Sequence, residues 1–169
     1  REGTAAVIRD WGGELAAWTD LPLMPFLYGL LFRAFGEHRI VIQCFTTVLF
    51  AGAVVQTSLI GRRLWDRETG FLAGLLLLAM PYLLTQVPLM LVDVPTLFLV
   101  TLSVHAFLIA LDRGGPARIA AAAAAIAGAV CAKYSAWPML LALPLTTFAL
   151  NREGRKDAVR RSFAVLAGA

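Results

Sequence analysis

Ile40-Val-Ile-Gln-Cys-Phe-Thr-Thr-Val-Leu-Phe-Ala-Gly-Ala-Val-Val-Gln-Thr-Ser-Leu-Ile60 carries no charged residue, and Gly61-Arg-Arg-Leu-Trp-Asp-Arg67 follows it at once. About 20 apolar residues, rising about 1.5 Å each, cross the roughly 30 Å of hydrocarbon in a bilayer. An apolar block of that length closed by arginines reads as a transmembrane helix ending in a cytoplasmic loop. Three more blocks follow: Phe71 to about Leu91, Val94 to Leu111, and Ile119 to Leu150. The last is too long for one helix, and Lys133 with Trp137-Pro138 interrupts it. It divides into Ile119–Ala132 and Trp137–Leu150. The expected fold is therefore an all-α polytopic membrane protein with about five transmembrane helices, near 40–60, 71–91, 94–111, 119–132 and 137–150.

The charges test this division. Arg62, Arg63 and Arg67 follow the first helix, and Arg113 and Arg118 follow the third. Arg152, Arg155, Lys156, Arg160 and Arg161 follow the fifth. These loops hold ten of the 15 Lys and Arg residues, while the opposite loops hold only Lys133. The alternation fits five crossings with the basic loops in the cytoplasm. It also argues against nucleic acid as a partner, because the net charge of +4 is spread over short loops and not along one binding stripe. Composition agrees: 59% of residues are hydrophobic and 15% charged, against about half and a quarter in a soluble domain.

Residues 1–39 then form an outer loop. Within it, 21–35 is apolar, broken by Pro22 and Pro25, and too short to span comfortably. It is expected as a helix at the outer interface, with Trp18, Tyr28 and Arg33 at headgroup depth. The apolar run 162–169 reads as the start of a further helix cut short, so the chain is expected to be an internal piece of a longer protein. Cys44 and Cys131 lie in separate apolar blocks and read as small core residues. The run Ala120 to Ala125 reads as a close-packing helix face.

Three places could carry chemistry. Gln86-Val-Pro-Leu-Met-Leu-Val-Asp-Val-Pro95 breaks the backbone on the outer side, which a membrane tolerates only where protein or a wet cavity covers it. A polar cavity is expected there. Asp93, within it, is the only acid between Glu68 and Asp112. It is either a helix N-cap ahead of Pro95 or a group facing an ion or substrate. Lys133 is the outer basic residue. It either snorkels to headgroups beside Tyr134 and Trp137 or holds a phosphate as a point charge. Glu37-His38-Arg39 is either a solvated helix start or part of the same cavity. His105 reads as a neutral histidine bonded between helices.

These features resemble, in their order, the C-type (GT-C) membrane glycosyltransferases, which include the protein O-mannosyltransferases and the lipid A aminoarabinose transferase. Trp18-Thr-Asp-Leu-Pro-Leu-Met-Pro-Phe-Leu-Tyr-Gly-Leu-Leu-Phe-Arg-Ala-Phe-Gly-Glu37 resembles that family's HPPLYP…LFG segment. Leu59-Ile-Gly-Arg-Arg-Leu-Trp-Asp-Arg-Glu-Thr-Gly-Phe-Leu-Ala-Gly74 is similar to its GRRLFGRRAGLLAA turn. Leu91-Val-Asp-Val-Pro-Thr-Leu-Phe98 is similar to PDxxLTFF, and Ala132-Lys-Tyr-Ser-Ala-Trp-Pro138 to TKxxGxxxLP. Asp20 and Leu21 depart from the family's His and Pro, and Gln43 stands where an arginine often sits.

The resemblance implies a bacterial inner-membrane enzyme. It would move a sugar from a polyprenyl-phosphate-linked donor to a periplasmic lipid, glycan or protein. It implies that Asp93 contacts a divalent metal ion, the sugar or the acceptor. Lys133 would pair with the lipid phosphate, and Tyr134, His38 and Arg39 are further substrate-binding candidates. The family's main acid lies in the first outer loop, which here falls at or before Arg1; Asp10, Glu14 and Asp20 are fallback candidates. Two non-enzyme readings stand beside it: a transporter or flippase, and a structural membrane subunit.

Overall fold

The computed structural model describes residue 21, residues 23–150 and residues 155–168. Among them there is no strand. The helices are α1 (Leu23–Phe35), α2 (Arg39–Leu64), α3 (Arg67–Leu78), α4 (Pro81–Gln86), α5 (Asp93–Arg113), α6 (Pro116–Ala132), α7 (Met139–Leu150) and α8 (Arg155–Ala167), with a 3₁₀ turn at Tyr134–Ala136. Two of them, α2 with 26 residues and α5 with 21, are long and apolar enough to cross a membrane. At about 1.5 Å per residue they measure about 39 and 32 Å. Large apolar side chains point outward along the helices, among them Val48, Phe71, Leu76 and Leu141. In water such a surface would be a liability; in lipid it is the solvated face. The chain is an all-α membrane protein.

Side-chain contacts fix the directions of the helices. Gln56 meets His105 through Oε1 and Nδ1, and Arg63 donates to Asp112 at 2.7 and 3.0 Å. Both pairs are 49 residues apart in sequence, so α2 and α5 run parallel. The expected interhelical role of His105 is met. The helix between them must return, and α3 does: a Cβ on Gly70 would meet the Ser58 carbonyl, and one on Gly74 the Ser58 hydroxyl. Gly61, Gly70 and Gly74 let the α2 and α3 backbones approach closely, as small residues do in membranes. In turn α6 runs back along α5, with Ala122, Ala123, Ile126 and Ala129 buried. The alanine run is a packing face, and the lower core joins it to Phe107, Ala110, Leu143 and Val165.

The chain differs from the sequence expectation in three places. The stretch 71–91 is not one helix: α3 stops at Leu78, and Pro81 opens α4. Proline lacks the N–H that would continue the ladder and suits a first turn. Residues 155–161, expected in a loop, belong to α8, which begins before the expected start at 162. Cys44 and Cys131 are free but exposed, not in the core.

The basic end is knit together. Arg161 Nη1 donates to the Leu111 carbonyl at 2.6 Å, and Arg118 Nη1 to that of Gly114 at 3.1 Å. Cations on the last carbonyls of α5 satisfy orphan acceptors and suit the negative end of its dipole. The turn into α6 passes through Gly114 and Gly115, both at positive φ. At the same end Asp66 caps α3 by accepting from the Thr69 N–H at 2.7 Å, and this bond holds the Asp66 carboxyl below its usual pKa. Stability from a lowered carboxylate is present above the unfolded value and fades as pH falls through the folded one. Asp66→Ala is therefore expected to lower the thermal midpoint at neutral pH. The gap from the parent should close in acid, as circular dichroism melts at several pH values would show.

Candidate active site

The other end carries the irregular backbone. Asp93 to Asp112 spans 19 steps of α5, about 28 Å, close to the hydrocarbon thickness. Asp93 therefore stands a membrane's width from the Arg63–Asp112 pair. The chain leaves α4 at Gln86 and enters α5 at Asp93. The N-cap of α5 is Val92, with no side-chain cap. Asp93 is the first helical residue and Pro95 the third, where a missing N–H costs nothing. The N-cap reading of Asp93 is thus corrected: its carboxylate leaves the helix end uncapped and turns sideways.

It turns to Lys133. The α6 helix ends at Ala132, and Lys133 is extended, at φ −158° and ψ 140°. Its N–H still reaches the Ala129 carbonyl at 3.3 Å, while its ammonium leaves the helix axis. Nζ lies 2.6 Å from Asp93 Oδ1. The side chains are 36% (Asp93) and 38% (Lys133) exposed, so the pair faces outward from the helix ends and remains reachable. Lys133 is accordingly held by a carboxylate within the fold and does not simply snorkel. The acid sits at the positive end of α5 and the cation at the negative end of α6, so both dipoles support the arrangement. A half-exposed pair adds only about 0–1 kcal/mol to stability. The two candidates picked out separately in the sequence are brought together here.

The segment before Asp93 is tied down by side chains. Tyr28 of α1 donates its hydroxyl to the Leu91 carbonyl at 3.0 Å. Thr46 of α2 donates to the Val87 carbonyl at 2.5 Å and is also within reach of the Ile42 carbonyl at 2.8 Å. Tyr28 is buried with Met24, Ile42 and Ala132, and its ring meets Phe45 edge-on at 5.9 Å. Burial pushes its phenol further above the ordinary value, which keeps the proton on the donor. These two roles were not visible in the sequence. Tyr28 stood within a recognised segment but read as an interface anchor, and Thr46 offers no cue beyond being a hydroxyl in an apolar helix.

Of the other candidates, Tyr134 meets Trp137 edge-on at 5.2 Å, beside Lys133 and 39% exposed. His38 and Arg39 are exposed at the start of α2. They share this end of the molecule, but neither bonds to Asp93 or Lys133. Asp10, Glu14, Trp18 and Asp20 lie outside the described residues. This end also shows an apolar groove of about 370 Å³ between α1 and α2, lined by Leu31, Phe35, Ile40, Val41, Cys44, Phe45 and Val48. Among the described residues no group of three His, Cys, Asp or Glu side chains comes together to hold a metal ion, and one oxygen of Asp93 is already taken by an ammonium. These residues do not by themselves build a metal site.

Comparison with known proteins adds one finding. No curated protein and no solved structure matches the chain significantly. The family model described as dolichyl-phosphate-mannose-protein mannosyltransferase matches residues 20–169. That match takes in the first quoted motif from Asp20 onward, the other three whole, and both members of the ion pair. Together with the helical membrane fold, it shows that the chain belongs to the dolichyl-phosphate-mannose-protein mannosyltransferase family of membrane glycosyltransferases.

Proposed function

We propose that this protein transfers a sugar from a polyprenyl-phosphate-linked donor to a lipid, glycan or protein acceptor on the outer, periplasmic side of a bacterial inner membrane. The Asp93–Lys133 pair, at the end opposite Arg63, Arg113 and Arg118, carries this reading. By the positive-inside rule the arginine end faces the cytoplasm, which leaves the pair on the outer side.

In the reaction an acceptor oxygen attacks the anomeric carbon, and the bond from that carbon to the donor phosphate breaks. The phosphate keeps the bonding electrons and departs as polyprenyl phosphate with one more negative charge. A fixed cation beside that oxygen favours the transition state over the ground state, since the charge is greatest as the bond breaks. Lys133 supplies the cation, and Asp93 holds it in place and contacts the sugar or acceptor. Inversion at the anomeric carbon follows from a single displacement. The acceptor proton passes to a carboxylate of the outer loop, with Asp20 a candidate. In this reading Tyr134, His38 and Arg39 line the approach. A divalent ion at Asp93 would need ligands besides this carboxylate, and no step here depends on one.

The test supplies the full-length protein in membrane vesicles with polyprenyl-phosphate mannose labelled in the sugar, and with glucose and aminoarabinose conjugates in parallel. Label appearing on a non-lipid-donor product supports transfer. Labelled donor that crosses the bilayer with its sugar–phosphate bond intact would instead make the protein a flippase. Donors that are neither cleaved nor moved would leave a structural subunit.

A further inference from the structure

Lys133 and Asp93 account for the charge at the site, but not for what fixes Asp93 in space. The six residues from Val87 to Val92 lie outside regular helix. Backbone carbonyls freed by such a break need donors when water is scarce. Two of them receive one from another helix: Leu91 from Tyr28 and Val87 from Thr46. The donors come from different elements, α1 and α2, and grip the two ends of the break. The Leu91 carbonyl is only two residues before Asp93. Tyr28 and Ala132 belong to one buried cluster, and Ala132 precedes Lys133. The same packing thus seats both halves of the ion pair.

From this geometry we propose that Tyr28 and Thr46 are positioning residues, which set the place of Asp93 and through it the aim of Lys133. The proposal rests on the transferase reading above. A site must hold its groups close to the productive geometry to gain from them. Loosening the break would therefore slow the chemical step more than it would weaken donor binding.

The experiment measures transfer from labelled polyprenyl-phosphate mannose by full-length Tyr28→Phe and Thr46→Val, with folded protein quantified in each. Phenylalanine keeps the ring against Phe45, and valine keeps the volume of threonine. Each variant is expected to lose about three- to tenfold in kcat, the range a single hydrogen bond supports, with KM within about twofold of the parent. Thr46→Ser, which restores the hydroxyl, is expected to recover most of the rate. Arg63→Gln, which breaks the partly exposed cross-link at the far end, serves as the structural control and is expected to leave kcat unchanged, with at most a small fall in the thermal midpoint. An unchanged kcat in Tyr28→Phe and Thr46→Val would overturn the proposal, as would a loss matching only the loss of folded protein or a failure of Thr46→Ser to recover. These failures differ from failure of the transferase reading, in which the parent protein itself transfers no label from the donor.

Discussion

Lys133→Ala is expected to lower sugar transfer by about a hundredfold or more, the scale on which one fixed group facing developing charge contributes. Asp93→Asn is expected to fall in the same direction. The argument turns on what the pair is for. Its 2.6 Å contact is a strong charge-assisted hydrogen bond, but both side chains are partly exposed, and such pairs add little to folding. Their joint removal should cost the protein little stability and most of its rate. Lys133→Arg should recover only part of the loss, because a planar fork replaces a compact point charge. Transfer rates normalised to folded protein, measured beside melting midpoints, separate the two roles. Parent-level transfer by folded Asp93→Asn and Lys133→Ala would remove both residues from the mechanism.

The second large effect concerns folding. Gly70→Leu is expected to abolish accumulation of folded protein, and Gly70→Ala to cost about 1–3 kcal/mol, as overpacking does. A Cβ at Gly70 would lie 2.4 Å from the Ser58 carbonyl oxygen and 2.5 Å from the Arg62 nitrogen. These are backbone atoms and cannot swing aside, so α2 and α3 would have to separate. At Gly74 the nearest atom is the Ser58 hydroxyl at 2.0 Å, a side chain with freedom to turn, so Gly74→Ala should be milder. Gly29→Ala in α1 meets nothing within 4 Å and is expected to leave stability unchanged or slightly raised, since alanine favours helix over glycine. Yields and thermal midpoints of the purified variants in detergent check the ranking.

Much of the architecture could be read from where apolar runs stop. The arginines after Ile60 and Leu111 mark one end of the helices because charge cannot be left in hydrocarbon cheaply. Asp93 and Lys133 stood out for the same reason at the other end. Their meeting could not be read, since 40 residues separate them and only the α5–α6 packing brings them together. The break at Met80 is not legible in hydropathy, because Pro81 sits inside an otherwise continuous apolar run and hydropathy does not register a lost N–H. At Gln86–Pro95 two of the freed carbonyls are reached directly by Tyr28 and Thr46, partners that lie 63 and 41 residues away in sequence and could not be read from the break itself. Asp93 looked like a cap because aspartate before proline so often is one; the nearby ammonium competes better for its oxygen than the backbone does.

The equal offset of the two α2–α5 cross-links has a bearing on how such a chain can change over generations. Gln56 with His105 and Arg63 with Asp112 lock the lower halves of two parallel helices in one register. The depth of Asp93 is then counted off residue by residue from the opposite face of the membrane. One residue inserted between Asp93 and His105 would leave both locks closed, yet turn Asp93 by about 100° and lift it about 1.5 Å, away from Lys133. A substitution along this stretch changes the packing at one place, whereas a change of length there is a change of aim.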